Sequence, residues 1–183
     1  MKRLVAIFGV TVAIFGTRGL AEQQTPTNAA LTAVASNVQT NQIKLKVIKV
    51  DSEETSGENG RGTNAVDGNL KTFWHTQWED ANPAHPHEIV IQFNEPATIK
   101  GFTYLPRQDE MENGTIKDYE FYVSNDGKDF GESVKKGAFE PGKQKLTITF
   151  EPRKCSFIKL RALSEINGEA WTSAAEIGVI QAD

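Results

Sequence analysis

The chain has 183 residues, a formal net charge of −4 and a single cysteine, Cys155. The acidic balance argues against nucleic acid and anionic membrane as partners, because both are held through cationic patches. One cysteine excludes an internal disulfide, so a packed core must carry the fold, and Cys155 itself reads as a small buried hydrophobe just ahead of a strand.

The chain opens Met1-Lys2-Arg3, runs through apolar Leu4 to Phe15, and reaches Gly19-Leu20-Ala21 before Glu22. A charged start, an apolar stretch too short for a membrane span and a small-residue cleavage site predict a secretory signal peptide over residues 1–21. Its removal takes away Lys2, Arg3 and Arg18 and moves the net charge from −4 to −7. The expected location is therefore secreted, periplasmic or at the cell surface. Roughly 160 residues remain, room for one domain of ordinary size and none for a hydrolase beside it. Residues 22–42 are rich in Gln, Thr, Asn, Ala and Ser, which bury too little apolar surface to offset the entropy of ordering, so a flexible tether is expected there. A short helix over 29–38 is only weakly signalled. The folded domain is expected over 43–183.

From Ile43 onward the pattern is period-2. Ile43, Leu45 and Val47 alternate with lysines; Ile89, Ile91 and Phe93 form a second run; Tyr119, Phe121 and Val123 a third; Leu146, Ile148 and Phe150 a fourth; Ile158, Leu160 and Ala162 a fifth. Between them lie the turn clusters Asn125-Asp126-Gly127, Pro141-Gly142 and Asn167-Gly168, and no long amphipathic helix interrupts the series. Short alternating strands separated by turns predict an all-β domain, a sandwich or a barrel.

The stretch from Asn64 to Trp78 carries two kinds of chemistry. Asp67 and Asn69 flank Gly68, which lets the backbone fold tightly and aim two oxygens at a hard cation such as calcium; the same three residues are also ordinary turn chemistry. Further on, His75 stands beside indoles, with Phe73 and Trp74 expected in the core. A hexose presents hydroxyls that donate and accept, plus an apolar face of C–H groups. It is matched by a guanidinium fork, a carboxylate acceptor, an imidazole, an amide and a flat aromatic ring. Glu58, His75, Trp78, Arg107, Asn113 and Trp171 supply that set from loop segments far apart in the chain. Pro83-Ala84-His85-Pro86-His87 has the look of a transition-metal pair, but no third ligand of the usual kind stands near it, and it reads as a stiff loop.

The segments "AVDGNLKTFWHTQW", "YLPRQDEMENGTIKDYEFYVSNDGKDFG" and "FIKLRALSEINGEAWTSAAEIGVI" resemble the F5/8 type C, or discoidin, family in its bacterial form, the family 32 carbohydrate-binding modules. The resemblance implies an eight-stranded antiparallel jelly-roll β-sandwich, galactose-binding-domain-like, with its binding loops at one end. It implies a structural calcium ion held by the side chains of Asp67, Asn69 and Glu176, with backbone oxygens of Asn64, Thr72 and Ala175 completing the shell. It also implies a preference for terminal galactose or N-acetylgalactosamine, with Arg107 and His75 on an axial hydroxyl and its neighbour. Glu58 and Asn113 would take further hydroxyls, and Trp78 or Trp171 would stack on the apolar face.

The expected function is thus a non-catalytic glycan-binding module, monomeric and without membrane insertion. A discoidin-type adhesion domain for a membrane or protein partner is the alternative, although its usual apolar spikes or basic loops are replaced here by polar, acid-rich ones. An enzyme is not expected: no opposed carboxylate pair, activated serine or cysteine, phosphate-cradling loop or zinc signature is singled out.

Overall fold

The computed structural model describes residues 43–182; the signal peptide over 1–21 and the tether over 22–42 lie outside them. Eight strands run in chain order among the described residues: β1 Leu45–Val50, β2 Trp74–His75, β3 His87–Leu105, β4 Asp118–Ser124, β5 Lys135–Ala138, β6 Leu146–Ala162, β7 Ser173–Ala174 and β8 Glu176–Gln181. The helical content of the described residues is a single 3-10 turn, Gly62–Val66.

β3 and β6 organise the domain. They pair antiparallel along most of their length, with register shifts between Gln92 and Ala97 and between Ile99 and Gly101. Before the first shift β3 also pairs with β1, and beyond it β3 pairs with β8; β4 joins only the C-terminal half of β6, with β5 outside it. The irregularities bend both long strands, so that one hydrogen-bonded sheet folds over into the two layers of an antiparallel sandwich. Phe102, from the far half of β3, stacks on Phe121 of β4 with centroids 4.0 Å apart, and Tyr119 stacks on Phe139 at 4.1 Å. Truncating a fully buried phenylalanine of this kind to alanine costs about 3–5 kcal/mol.

Two expectations are corrected here. The runs at 146–150 and 158–162 are the two ends of one strand, β6, because the polar residues between them continue the ladder. Cys155 lies inside that strand, opposite Ala97, where burial pushes its thiol up to about 11 and makes it a core atom.

A two-residue ladder places the site. β2 pairs with β7, His75 opposite Ser173, which brings the segment after the 3-10 turn against the segment before β8. Tyr104, fully buried on β3, fixes the same region from below: its hydroxyl donates to the Ser173 carbonyl and accepts from the Ile116 N–H, each at 3.0 Å. Trp74 is core, as expected, with its indole N–H donated to the Ser52 carbonyl at 2.9 Å.

Candidate functional site

The loop between β1 and the 3-10 turn closes on itself over His75. Gly60 N–H donates to the Glu54 carbonyl, His75 N–H to the Gly60 carbonyl, and Glu54 N–H to the His75 carbonyl. The Glu54 side chain, 1% exposed, knots this loop to the next: one carboxylate oxygen accepts from the N–H groups of Ser56 and Gly57, the other from Trp78 and Glu79, at 2.6–3.0 Å. Burial works against the charge, but four aimed backbone donors overcome it and bring the carboxyl down to about 2. Trp78 then lies over Gly57, where an added Cβ would stand 2.5 Å from the ring. Its indole N–H donates to Glu58 at 3.1 Å.

His75 is 2% exposed and its Nδ1 stands 2.7 Å from the Thr76 carbonyl, so Nδ1 carries the proton and Nε2 is an acceptor. Burial lowers its pKa, and the neighbouring Arg107 lowers it further, against the Thr76 carbonyl and Glu58, leaving a neutral ring at neutral pH. The 3.8 Å approach of Glu58 to Nδ1 is therefore not an ion pair at that pH.

Arg107 comes from the loop after β3. Asp109 takes its Nε and Nη2 donors in a bidentate pair at 2.7 and 2.5 Å, and the guanidinium lies 4.2 Å over the Phe73 ring. That hydrogen-bonded guanidinium holds the Asp109 carboxyl below the usual range. Asn113 places its backbone carbonyl toward Arg107 Nη1 and Ser173 Oγ, and the residue lines the cleft. Gly114 makes this loop possible: its φ is +81°, its carbonyl accepts from the Ser173 N–H at 2.6 Å, and a Cβ there would stand 2.7 Å from the Ser173 nitrogen. Trp171 completes the wall, its ring 6.4 Å from that of His75 and tilted by 46°.

All six residues expected to contact a sugar, Glu58, His75, Trp78, Arg107, Asn113 and Trp171, line one open cleft of about 230 Å³, with Met111 as a seventh. Sequence reasoning missed Met111, Glu54 and Asp109, and it assigned Phe73 to the core. Phe73 is instead half-buried, the platform under Arg107. The Arg107-x-Asp109 spacing was a usable signal, since alternate residues of an extended segment share a face.

Of the residues expected to hold a cation, Asp67, Asn69, Thr72 and Glu176 lie around the Gly68 turn. Asp67 accepts from the Asn69 N–H and the Thr72 hydroxyl, each at 2.8 Å; the Asn69 side chain accepts from Lys71 N–H at 3.2 Å. Glu176, the first residue of β8, accepts from the Gly68 N–H at 2.7 Å across 108 residues of sequence. Asn64 uses its amide internally, donating to the Asn59 and Phe73 carbonyls. Ala175 is buried, its N–H on the Leu105 carbonyl.

A folded-over antiparallel sandwich with a polar, indole-walled cleft among its loops defines a galactose-binding-domain-like module. Residues 47–177 match the F5/8 type C domain model, and the chain belongs to that family. It is 37% identical over 153 residues to a sialidase from Micromonospora viridifaciens, covering 83% of this chain and 24% of the sialidase. It is 39% identical over 136 residues to galactose oxidase from Gibberella zeae, covering 74% of this chain and 20% of the oxidase. The chain thus spans a quarter or less of these relatives. Among solved structures, CpGH89CBM32-5 from Clostridium perfringens, in complex with GalNAc-β-1,3-galactose, superposes with a TM-score of 0.68 at 32% identity. That match covers 75% of this chain and 95% of the other.

Proposed function

We propose that the chain is a secreted, non-catalytic carbohydrate-binding module for glycans ending in galactose or N-acetylgalactosamine, working as a monomer without membrane insertion. The observation that carries this reading is the meeting, in one cleft, of a neutral imidazole acceptor, a pinned guanidinium donor and two indoles. An axial 4-hydroxyl is reached by Arg107 and His75 Nε2 together, while the uninterrupted face of such a ring lies against an indole. The related C. perfringens module, in complex with a GalNAc-galactose disaccharide, supports the ligand class. An open site of this size binds weakly, at millimolar to micromolar Kd, about −4 to −8 kcal/mol.

Titration calorimetry with galactose, N-acetylgalactosamine and glucose tests it. The first two bind, glucose does not, and Trp171→Ala weakens binding by about tenfold or more, roughly 1.4 kcal/mol. No sugar binding, together with binding to phosphatidylserine vesicles, would replace this reading by the adhesion one.

Calcium fits as a clip between the Asp67 loop and β8. Burial, with the negative charge of Asp67 adding to it against the Gly68 N–H, raises the Glu176 carboxyl, so two carboxylates face one another where a cation would relieve them. Asp67, Asn69 and Glu176 with the backbone oxygens of Asn64, Thr72 and Ala175 form an all-oxygen set, the type a hard cation takes. Bound there, the ion would supply only structural stabilisation, about 2.7 kcal/mol at one hundred times its Kd. A chelator is then expected to lower Tm and added calcium to restore it; a melt that ignores both counts against the clip.

A further inference from the structure

Trp171 is oriented without help from its own polar atom, because the indole N–H is buried and has no hydrogen-bond partner among the described residues. The ring is set instead by the backbone on either side. On one side Thr172 is locked: its N–H donates to Thr76 Oγ1, its carbonyl accepts from Thr76 N–H, and its hydroxyl is 3.0 Å from His85 Nε2. On the other side the Ala170 carbonyl meets His87 Nε2 at 2.8 Å. His87 is 0% exposed, with Asp51 Oδ2 2.7 Å from Nδ1 and the Pro83 carbonyl 3.2 Å from Nε2. Every one of these partners is an acceptor. Both ring nitrogens must therefore carry hydrogen, since a neutral imidazole would turn a lone pair toward a carboxylate or a carbonyl.

We propose that His87, as an imidazolium clamped between Asp51 and the Ala170 carbonyl, is a positioning residue for the Trp171 wall of the cleft, so that glycan affinity falls when its proton is lost. This rests on the sugar-binding reading above. The Pro83 to His87 stretch, which the sequence presents as a stiff loop, becomes the buttress of that wall, with His87 opening β3.

The charged or titratable groups bearing on His87 are Asp51 and His85, the latter with its ring centroid 5.0 Å away; Pro83 and Ala170 offer only carbonyls. Burial disfavours the imidazolium, but the Asp51 hydrogen bond and the Ala170 carbonyl more than offset it, so the pKa is raised. A raised folded pKa means the clamp is complete below the ordinary value near 6.5 and is lost as pH rises through the higher folded value. His75 and His85, both lowered chiefly by burial, act on the acid side instead. The alkaline limb therefore belongs to His87.

The test uses the full chain labelled with fluorotryptophan, the Trp171 resonance being assigned through Trp171→Phe. Binding of N-acetylgalactosamine and the fluorine spectrum are followed between about pH 6 and 9, in the wild type and in Asp51→Asn. Affinity is expected to fall about fivefold or more along the alkaline limb. The Trp171 resonance should move with the same midpoint, and Asp51→Asn should lower that midpoint by about one pH unit or more. A resonance that stays fixed, or a midpoint that Asp51→Asn leaves in place, overturns the proposal. If no sugar binds at any pH while the resonance still titrates and the midpoint still moves, the positioning role stands and the glycan reading falls.

Discussion

Arg107→Ala is expected to take galactose binding below detection, while the domain stays folded with a Tm only a few degrees lower. The guanidinium is presented rather than free: Asp109 fixes two of its donors, the Asn113 carbonyl meets Nη1 at 3.5 Å, Phe73 fixes its plane, and the side chain so held lines the cleft. Hydrogen bonds from a charged donor contribute about 1.5–3 kcal/mol each. Losing one or two of them from a site of only about −4 to −8 kcal/mol removes most of its affinity. The fold is less affected. The Asp109 side chain is 41% exposed and passes to water once its partner is gone. The lost pair and the lost contact with Phe73 together cost about 1–2 kcal/mol. Arg107→Lys should not restore binding, because a lysine has no planar fork for Asp109 to hold. Titration calorimetry beside a thermal melt decides it, and galactose affinity within about threefold of wild type for Arg107→Ala would remove arginine from the site.

The strands were legible where one face packs and the other meets water. Tyr119, Phe121 and Val123 announce β4 because burial alternates along it. The same rule, continued past Val47, would turn Lys49 inward, but β1 slips register between Val47 and Lys49 and it is Val50 that packs on the core while Lys49 stays exposed. It also hides the continuity of β6, since residues 151–154 are exposed as the strand crosses between layers. Such irregularities depend on which strand lies alongside, which local pattern does not encode.

The site divides in the same way. Residues that line the cleft were readable because loop arginines, histidines and indoles are chemically conspicuous, and the structure gathers all six into one cleft. Residues that hold them are less conspicuous. Asp109 sits among Glu110 and Glu112 and reads as solvated surface, and His87 reads as part of a proline-stiffened loop. Their roles come from partners two, or more than eighty, residues away. Composition signals the groups that line the cleft; of the groups that aim them, Asp109 is signalled only by its spacing from Arg107, and His87 only by hydrogen bonds to a distant segment.

Glu54 is the extreme case of such a group, and Glu54→Gln is expected to lower stability by about 2–4 kcal/mol, roughly 5–15 °C in Tm for a domain of this size. The amide keeps one acceptor oxygen, but its NH2 now faces two of the four backbone N–H groups that the carboxylate satisfied. Sugar affinity should fall with it, because the loop carrying Glu58 and the segment carrying Trp78 are joined through this side chain. The pH dependence separates this effect from a packing defect. The folded carboxyl lies at about 2, below its ordinary value of 4.5. Its contribution is therefore complete above 4.5 and is lost as pH falls toward 2. Wild type and Glu54→Gln should accordingly differ most in Tm near neutral pH and converge on acidification. A gap that persists unchanged down to about pH 2 would assign the loss to shape rather than charge. No gap at all would mean that the loops stand without this carboxylate.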